Sequence, residues 1–345
     1  MHLNITFMFI ENYSIHHKIA FQLLNNTRYH LIENINSEYE YFRTDKNITL
    51  NFKLVVTKEF NIQSKDQTAT HQLQKQYDGW RVHLIEHKNG FIECQIIPYF
   101  DGVRKPFSYT AIKNLYVRSL ISYSLLKKGR SLVHSCSFSL DGKACLLAGR
   151  PGVFKTSILM DVIRRHGAQF LGEENTMLSD GLLYPFPLNL KSFRYKINHF
   201  RDENAGSSFD KIKLGLQLLR KGKTAQDNSI TISKPKKPVI VCYLTKGDKF
   251  GIAECRLEDV IPELVENEMK ELSIPPTHSL SGIKYNYFAE LLQECNPAII
   301  SKMRQDLFVV FAKDFGQSAC YRISTPKTYD VSISDSILSK VMLFS

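Results

Sequence analysis

The sequence predicts an α/β protein with α+β character: a mainly β N-terminal domain, residues 1–128, and a second domain, 129–345, built on a mixed β-sheet. Three observations lead there. An apolar run at 144–148 stops at a glycine, crosses a short loop and resumes as an amphipathic helix at Lys155-Thr156. Hairpin turns stand on both sides of that unit, where an all-parallel sheet would carry crossover helices. Upstream, short apolar runs separated by polar turns fill the first hundred residues.

In the N-terminal domain, residues 48–57 alternate. The runs 80–85 and 91–97 flank Lys88-Asn89-Gly90, a strong hairpin signal. The polar stretch 61–76 between them reads as a surface loop. Residues 109–128 read as a helix, with Ile112, Leu115, Tyr116, Leu120 and Tyr123 on one stripe and Gly129 as its stop. The domain boundary is placed at this helix.

The second domain opens on the apolar run 132–140. Asp141-Gly142 then forms a tight turn into the run 144–148, so these two strands pair antiparallel. After the loop, Ile158, Leu159, Val162 and Ile163 form a helical stripe. Arg164, Arg165 and His166 favour a helix C-terminus, which Gly167 closes. Residues 168–172 form the next strand and lead into Glu173-Glu174. Ser179-Asp180-Gly181 then turns the chain back into 182–187.

Composition bounds the function classes. A chain of 345 residues, 43% hydrophobic with 22 Phe and 16 Tyr, can bury two cores and is not a disordered tail. A net charge of +11 and a pI near 9.2 admit an acidic partner without selecting one. The basic stretches are Lys211, Lys213, Arg220, Lys221 and Lys223, then Lys234, Lys236 and Lys237; both read as solvated faces. The seven cysteines include no C-x-x-C pair, which suits reduced thiols in a cytoplasmic protein rather than a zinc site or disulfide framework. No stretch has the length of a membrane span, and residues 1–10 lack the basic region of a signal peptide.

The residues Gly149-Arg150-Pro151-Gly152-Val153-Phe154-Lys155-Thr156-Ser157 carry the chemistry. Their layout is that of a phosphate-binding loop, G-x-x-x-x-G-K-[ST] between a strand and a helix, with Phe154 standing where the glycine before the lysine belongs. Loop amides and a helix N-terminus offer donors to phosphate oxygens, lysine adds a point charge, and the Thr156 hydroxyl suits Mg²⁺. The plainer alternative is a solvated lysine and a capping threonine on an ordinary strand–turn–helix. At Phe154 two readings compete. In one, the backbone needs positive φ and the ring crowds the phosphates, leaving a decayed site. In the other, which we expect, Phe154 keeps negative φ and turns its ring away.

The run from Val133-His134-Ser135 through the loop to Leu171-Gly172-Glu173-Glu174, then Asp180-Gly181 and Tyr184-Pro185-Phe186-Pro187, resembles the catalytic domain of the HPr kinase/phosphorylase family and of HPr-kinase-related proteins. The resemblance covers roughly residues 131–190 and extends more loosely through 238–244 and a helix at 258–272. It implies a phosphoenolpyruvate-carboxykinase-like fold and an ATP- and Mg²⁺-dependent kinase acting on a hydroxyl, often a serine. Family members carry a histidine before the domain's first strand, where His134 stands. They carry two adjacent aspartates after the phosphate-loop helix, where Glu173-Glu174 stand.

The implied catalytic residues are Glu173, His134 and Lys155, with Thr156 and Glu174 on the metal. The first acid would accept the hydroxyl proton and its neighbour would help hold Mg²⁺. The implied partners are a nucleotide and a hydroxyl-bearing acceptor, whether protein, peptide or small molecule. No membrane is expected, nucleic acid is disfavoured, and association into a homo-oligomer stays open. The family's downstream glycine-rich signature has no counterpart, so HPr itself is not the expected acceptor. The alternative is a catalytically inactive nucleotide-binding or interaction protein on the same fold.

Overall fold

The computed structural model describes residues 9–27, 35, 38–60, 69–77, 79–99, 113–188, 190, 193–194, 197, 230–273 and 287–344. The basic stretch 211–223 and residues 109–112 of the expected helix lie outside these. The chain is of mixed α/β character, with helices and mixed sheets. It divides into two compact units: Met1–Gly129 with Met269–Leu307, and Arg130–Glu268 with Phe308–Ser345. The first unit thus takes residues from well beyond 128.

In the first unit, six strands β1 (Phe9–Ile15), β2 (Ile19–Asn25), β3 (Phe52–Val56), β4 (Ala69–Tyr77), β5 (Trp80–His87) and β6 (Ile92–Pro98) form one sheet in the order β1-β2-β3-β6-β5-β4. The hairpin expected at Lys88-Asn89-Gly90 joins β5 to β6, with Trp80 opposite Pro98 and Glu86 opposite Ile92. The loop expected over 61–76 is corrected: from Ala69 onward the chain is strand β4, paired with β5. Its side chains alternate between half-buried and exposed, and the half-buried ones include His71, Lys75 and Tyr77. An edge strand with so little apolar content gives no period-2 hydrophobic signal. Stacked rings of Tyr13, Phe21 and Phe52, 4.8 Å apart centre to centre at each step, line the core. Helix α1 (Ser119–Leu126) follows a π-helical stretch at Lys113–Arg118. Tyr116, Leu120 and Tyr123 of the expected stripe are buried, and the Tyr116 hydroxyl accepts from Trp80 Nε1 at 2.8 Å.

The second unit begins with β7 (Ser131–Val133), β8 (Ser135–Leu140) and β9 (Lys143–Gly149), followed by helix α2 (Lys155–His166). Next come β10 (Gln169–Gly172), β11 (Thr176–Ser179), β12 (Leu182–Tyr184), β13 (Pro238–Lys246) and β14 (Gly251–Cys255). Helix α3 (Ile261–Ser273) supplies residues to both units. Helix α4 (Tyr287–Cys295) is in the first unit, α5 (Ile299–Phe315) spans the division, and β15 (Ala319–Thr325) and α6 (Ser332–Leu343) complete the second. The principal sheet has the order β10-β8-β9-β13-β15-β14, and a smaller sheet has the order β12-β11-β7. The run 132–140 therefore breaks at His134, and its two parts enter different sheets.

The hairpin at Asp141-Gly142 places Leu140 opposite Lys143 and Ser135 opposite Ala148. Asp180-Gly181 joins β11 to β12 antiparallel. Strands β9, β13 and β15 run parallel, whereas β8 is antiparallel to both β9 and β10. Strand β10 therefore runs in the same direction as β9. The C-terminal ends of β10, β9 and β13 lie at one end of the sheet, together with the start of β8. In open α/β sheets that end is where ligands bind. Buried Cys145 and Leu147 of β9, Ile240 and Cys242 of β13, and Ile158, Leu159 and Val162 of α2 share one core under it.

Candidate functional site

Strand β9 ends at Gly149, which faces Leu244 of β13 across the parallel pair. Its φ is +139°, and a Cβ there would lie 2.4 Å from the Leu244 carbonyl oxygen. Only glycine lets the chain leave β9 so close to its neighbour. Arg150, Pro151 and Gly152 are exposed, while Val153 is buried and pins the loop to the core. Helix α2 starts at Lys155 and closes at Gly167, whose φ of +67° makes the expected left-handed cap.

Lys155 is 8% exposed, and its Nζ donates to the carbonyls of Gly149 and Arg150, the latter at 3.2 Å. The loop thus bends back around the lysine ammonium. Thr156 is half-buried; the Ser157 hydroxyl is buried and has no hydrogen-bond partner among the described residues.

Phe154 corrects one expectation and bears on the other. Its φ is +61° and ψ +20°, squarely left-handed, so the negative φ expected from the sequence is not what the chain adopts. For a bulky side chain this costs about 1–2 kcal/mol. The ring packs on Tyr329, centroids 5.6 Å apart at 55°. A tilted aromatic pair contributes about 0.5–1.5 kcal/mol beyond its area burial, which is comparable to the backbone cost. Tertiary packing therefore sustains a conformation that local sterics disfavour.

The acidic pair follows β10 at the same sheet end. Gly172 makes the turn possible: a Cβ there would lie 2.1 Å from the Asn175 carbonyl oxygen and 2.7 Å from Thr176 Oγ1. Glu173 is buried, at 8% exposure, whereas Glu174 is exposed, so the two carboxylates occupy different environments. The Glu174 carbonyl accepts from the Ser135 amide at 3.2 Å, joining the turn to the start of β8.

Cys136 stands between the acidic pair and the loop. Its Sγ donates to the Glu173 carbonyl at 2.6 Å and lies 3.9 Å from Thr156 Oγ1. Burial pushes this thiol's pKa up, Glu173 and Glu174 add to the rise, and Lys155 opposes it. Cys136 thus links the turn carrying the acidic pair to the first turn of α2.

His134 sits at the break between β7 and β8, half-buried. Its amide donates to the Glu268 carboxylate, and its carbonyl accepts from Asn267 Nδ2 at 3.4 Å. Both groups come from α3, in the stretch that belongs to this unit. Glu268 is 4% exposed, a buried acid beside the expected histidine that sequence reading did not single out. Nothing at 258–272 marks it, because it is one of several acids on an amphipathic helix.

Lys246 is a second omission. It ends β13, and a Cβ on Gly152 would lie 3.1 Å from its Nζ. Lys246 and Arg150 are both exposed, and neither forms an ion pair among the described residues. Two exposed cations therefore border the loop, an arrangement complementary to a polyanion. Its signal in the sequence is slight, a lone lysine after an apolar strand.

Among the described residues no group of three or more His, Cys, Asp or Glu side chains is disposed to hold a metal ion. No helix among them is long and apolar enough to cross a membrane. No protein-family model matches the chain, and no curated protein matches it at a significant level.

Proposed function

We propose that the second unit is an ATP- and Mg²⁺-dependent phosphotransferase of HPr-kinase-like type acting on a hydroxyl, the acceptor being a serine of a protein or peptide, or a small molecule. One observation carries the reading: a strand–loop–helix folded around the Lys155 ammonium, with an acidic pair at the same end of the sheet. Loop amides of Arg150, Gly152, Val153 and Phe154, with Lys155, Thr156 and Ser157, hold the phosphates. Arg150 and Lys246 supply further positive charge at the rim.

The donor set also fits Mg²⁺. This ion takes one or two protein oxygens and completes its shell with phosphate and water oxygens. The Thr156 hydroxyl and the exposed Glu174 carboxylate are such a pair, and the metal would neutralise charge on the transferred phosphoryl group. Buried Glu173 accepts the acceptor's hydroxyl proton as its oxygen bonds to the γ-phosphorus and the bond to ADP breaks. His134 stands beside this pair at the catalytic end. All seven cysteines are free thiols, which suits a cytoplasmic setting.

The left-handed backbone at Phe154 favours one other reading, a nucleotide-binding protein without turnover. A phosphate-release assay with ATP and Mg²⁺ separates the two. The kinase reading expects slow release by the parent protein. Glu173→Gln should abolish it while leaving ATP affinity within a fewfold. Binding without release selects the inactive protein, and no binding ends both readings.

A further inference from the structure

Phe154 is the residue that the phosphate-loop layout does not explain. Its ring is held by a group that itself has little freedom. Tyr329 is packed partly against the core, and its hydroxyl donates to Asp161 Oδ2 at 3.0 Å. The Ser334 hydroxyl donates to the same oxygen at 2.8 Å and also contacts the Tyr329 hydroxyl. Asp161 lies on α2, two turns beyond Phe154, and Ser334 lies in the first turn of α6. Arg165, on the next turn of α2, reaches Asp161 at 3.1 Å and also binds Asp335 of α6. The helix that the loop feeds is thus laced to the segment carrying Tyr329.

We propose that Tyr329 is a positioning residue for the phosphate loop: it clamps the Phe154 ring and so holds the left-handed backbone that glycine ordinarily provides there. The chemistry is steric. A glycine can take φ near +60° without an external restraint, and it also leaves it freely. A phenylalanine takes that conformation only when the surroundings fix it. The Phe154–Tyr329 pair therefore replaces a flexible hinge with a fixed one. The Asp161–Ser334 bonds orient the phenol so that its ring remains available. This rests on the phosphate-binding reading of residues 149–157, and it makes the segment leading into α6 a support of the nucleotide site without touching the nucleotide.

The test is a double-mutant cycle read in two ways. ATP affinity with Mg²⁺ is measured for the parent, Tyr329→Ala, Tyr329→Phe, Phe154→Gly and the Phe154→Gly/Tyr329→Ala pair. Tyr329→Ala should weaken binding about tenfold, and Tyr329→Phe, which keeps the ring, should restore it to within about threefold. In the Phe154→Gly background, Tyr329→Ala should cost less than about twofold. Amide hydrogen exchange at Arg150, Gly152, Val153 and Phe154 gives the second readout and needs no ligand. Tyr329→Ala should speed exchange there, and the effect should vanish in the Phe154→Gly background. Unchanged loop exchange in Tyr329→Ala, or equal effects in both backgrounds, would overturn the clamp. If the parent binds no ATP, the kinase reading fails while the exchange cycle still decides the clamp.

Discussion

At the scale of single residues, burial separates two neighbours that are identical in the sequence. Glu173 is enclosed beside Cys136, whereas its neighbour Glu174 faces solvent. That asymmetry suits a proton acceptor next to a metal ligand, because Mg²⁺ keeps several waters and is reached most readily by a solvated carboxylate. Glu174→Gln should therefore raise the Mg²⁺ concentration needed for half-maximal ATP binding severalfold. It should shift the melting temperature by no more than a few degrees, because surface substitutions change stability little. Titrating Mg²⁺ at fixed ATP reads the first effect and a thermal melt reads the second. A variant with parental Mg²⁺ dependence would remove Glu174 from the metal. The residues of the candidate site were singled out in the sequence by different signals: the loop by the spacing of its glycines and Lys-Thr, the acids by the resemblance that puts an acidic pair after the next strand. Lys246 and Glu268 escaped because strand pairing and helix packing bring them in. Phe154 was half legible. The sequence marks it as anomalous, but only the tertiary contact with Tyr329 explains how it holds φ of +61°.

At the scale of elements, turn chemistry was the most readable signal. Asn89-Gly90, Asp141-Gly142 and Asp180-Gly181 each close the hairpin their residue types call for. Strand β4 was unreadable because its sequence, ATHQLQKQY, has a single leucine, and only pairing with β5 makes it a strand. That pairing includes a titratable contact. His83 of β5 is fully buried, and its Nε2 lies 2.8 Å from Gln72 Nε2 of β4, so the neutral ring accepts from the amide. Burial lowers the His83 pKa below its ordinary 6.5, and Glu93 only partly opposes this. A lowered folded value means that the unfolded chain takes up the proton first. The stability tied to neutral His83 is complete above about pH 6.5 and is lost as pH falls through the folded value. Thermal melts from pH 7.5 to pH 5 should show this loss in the parent. His83→Gln, which cannot protonate, should show a shallower decline; parallel declines would contradict the assignment.

At the scale of the whole molecule, the mixed α/β character was legible from the hairpins around the loop. The discontinuous make-up of the units was not. Residues 269–307 belong with the first unit, and the second is completed by Phe308–Ser345. Strand β15, near the C-terminus, lies between β13 and β14 in the principal sheet, a long-range parallel pairing that no local pattern announces. The tyrosine that holds Phe154 comes from the same late stretch of chain. Three basic residues distant in part along the chain, Lys155, Arg150 and Lys246, gather around one loop only in the fold. The central claim is that this loop binds a nucleotide through its phosphates, and calorimetric titration of ATP with Mg²⁺ into the parent and Lys155→Ala tests it most directly. Saturable binding by the parent is expected, with affinity at least tenfold weaker in the variant, a loss of about 1.4 kcal/mol. Equal affinity in the two proteins, or no binding by the parent, would contradict it.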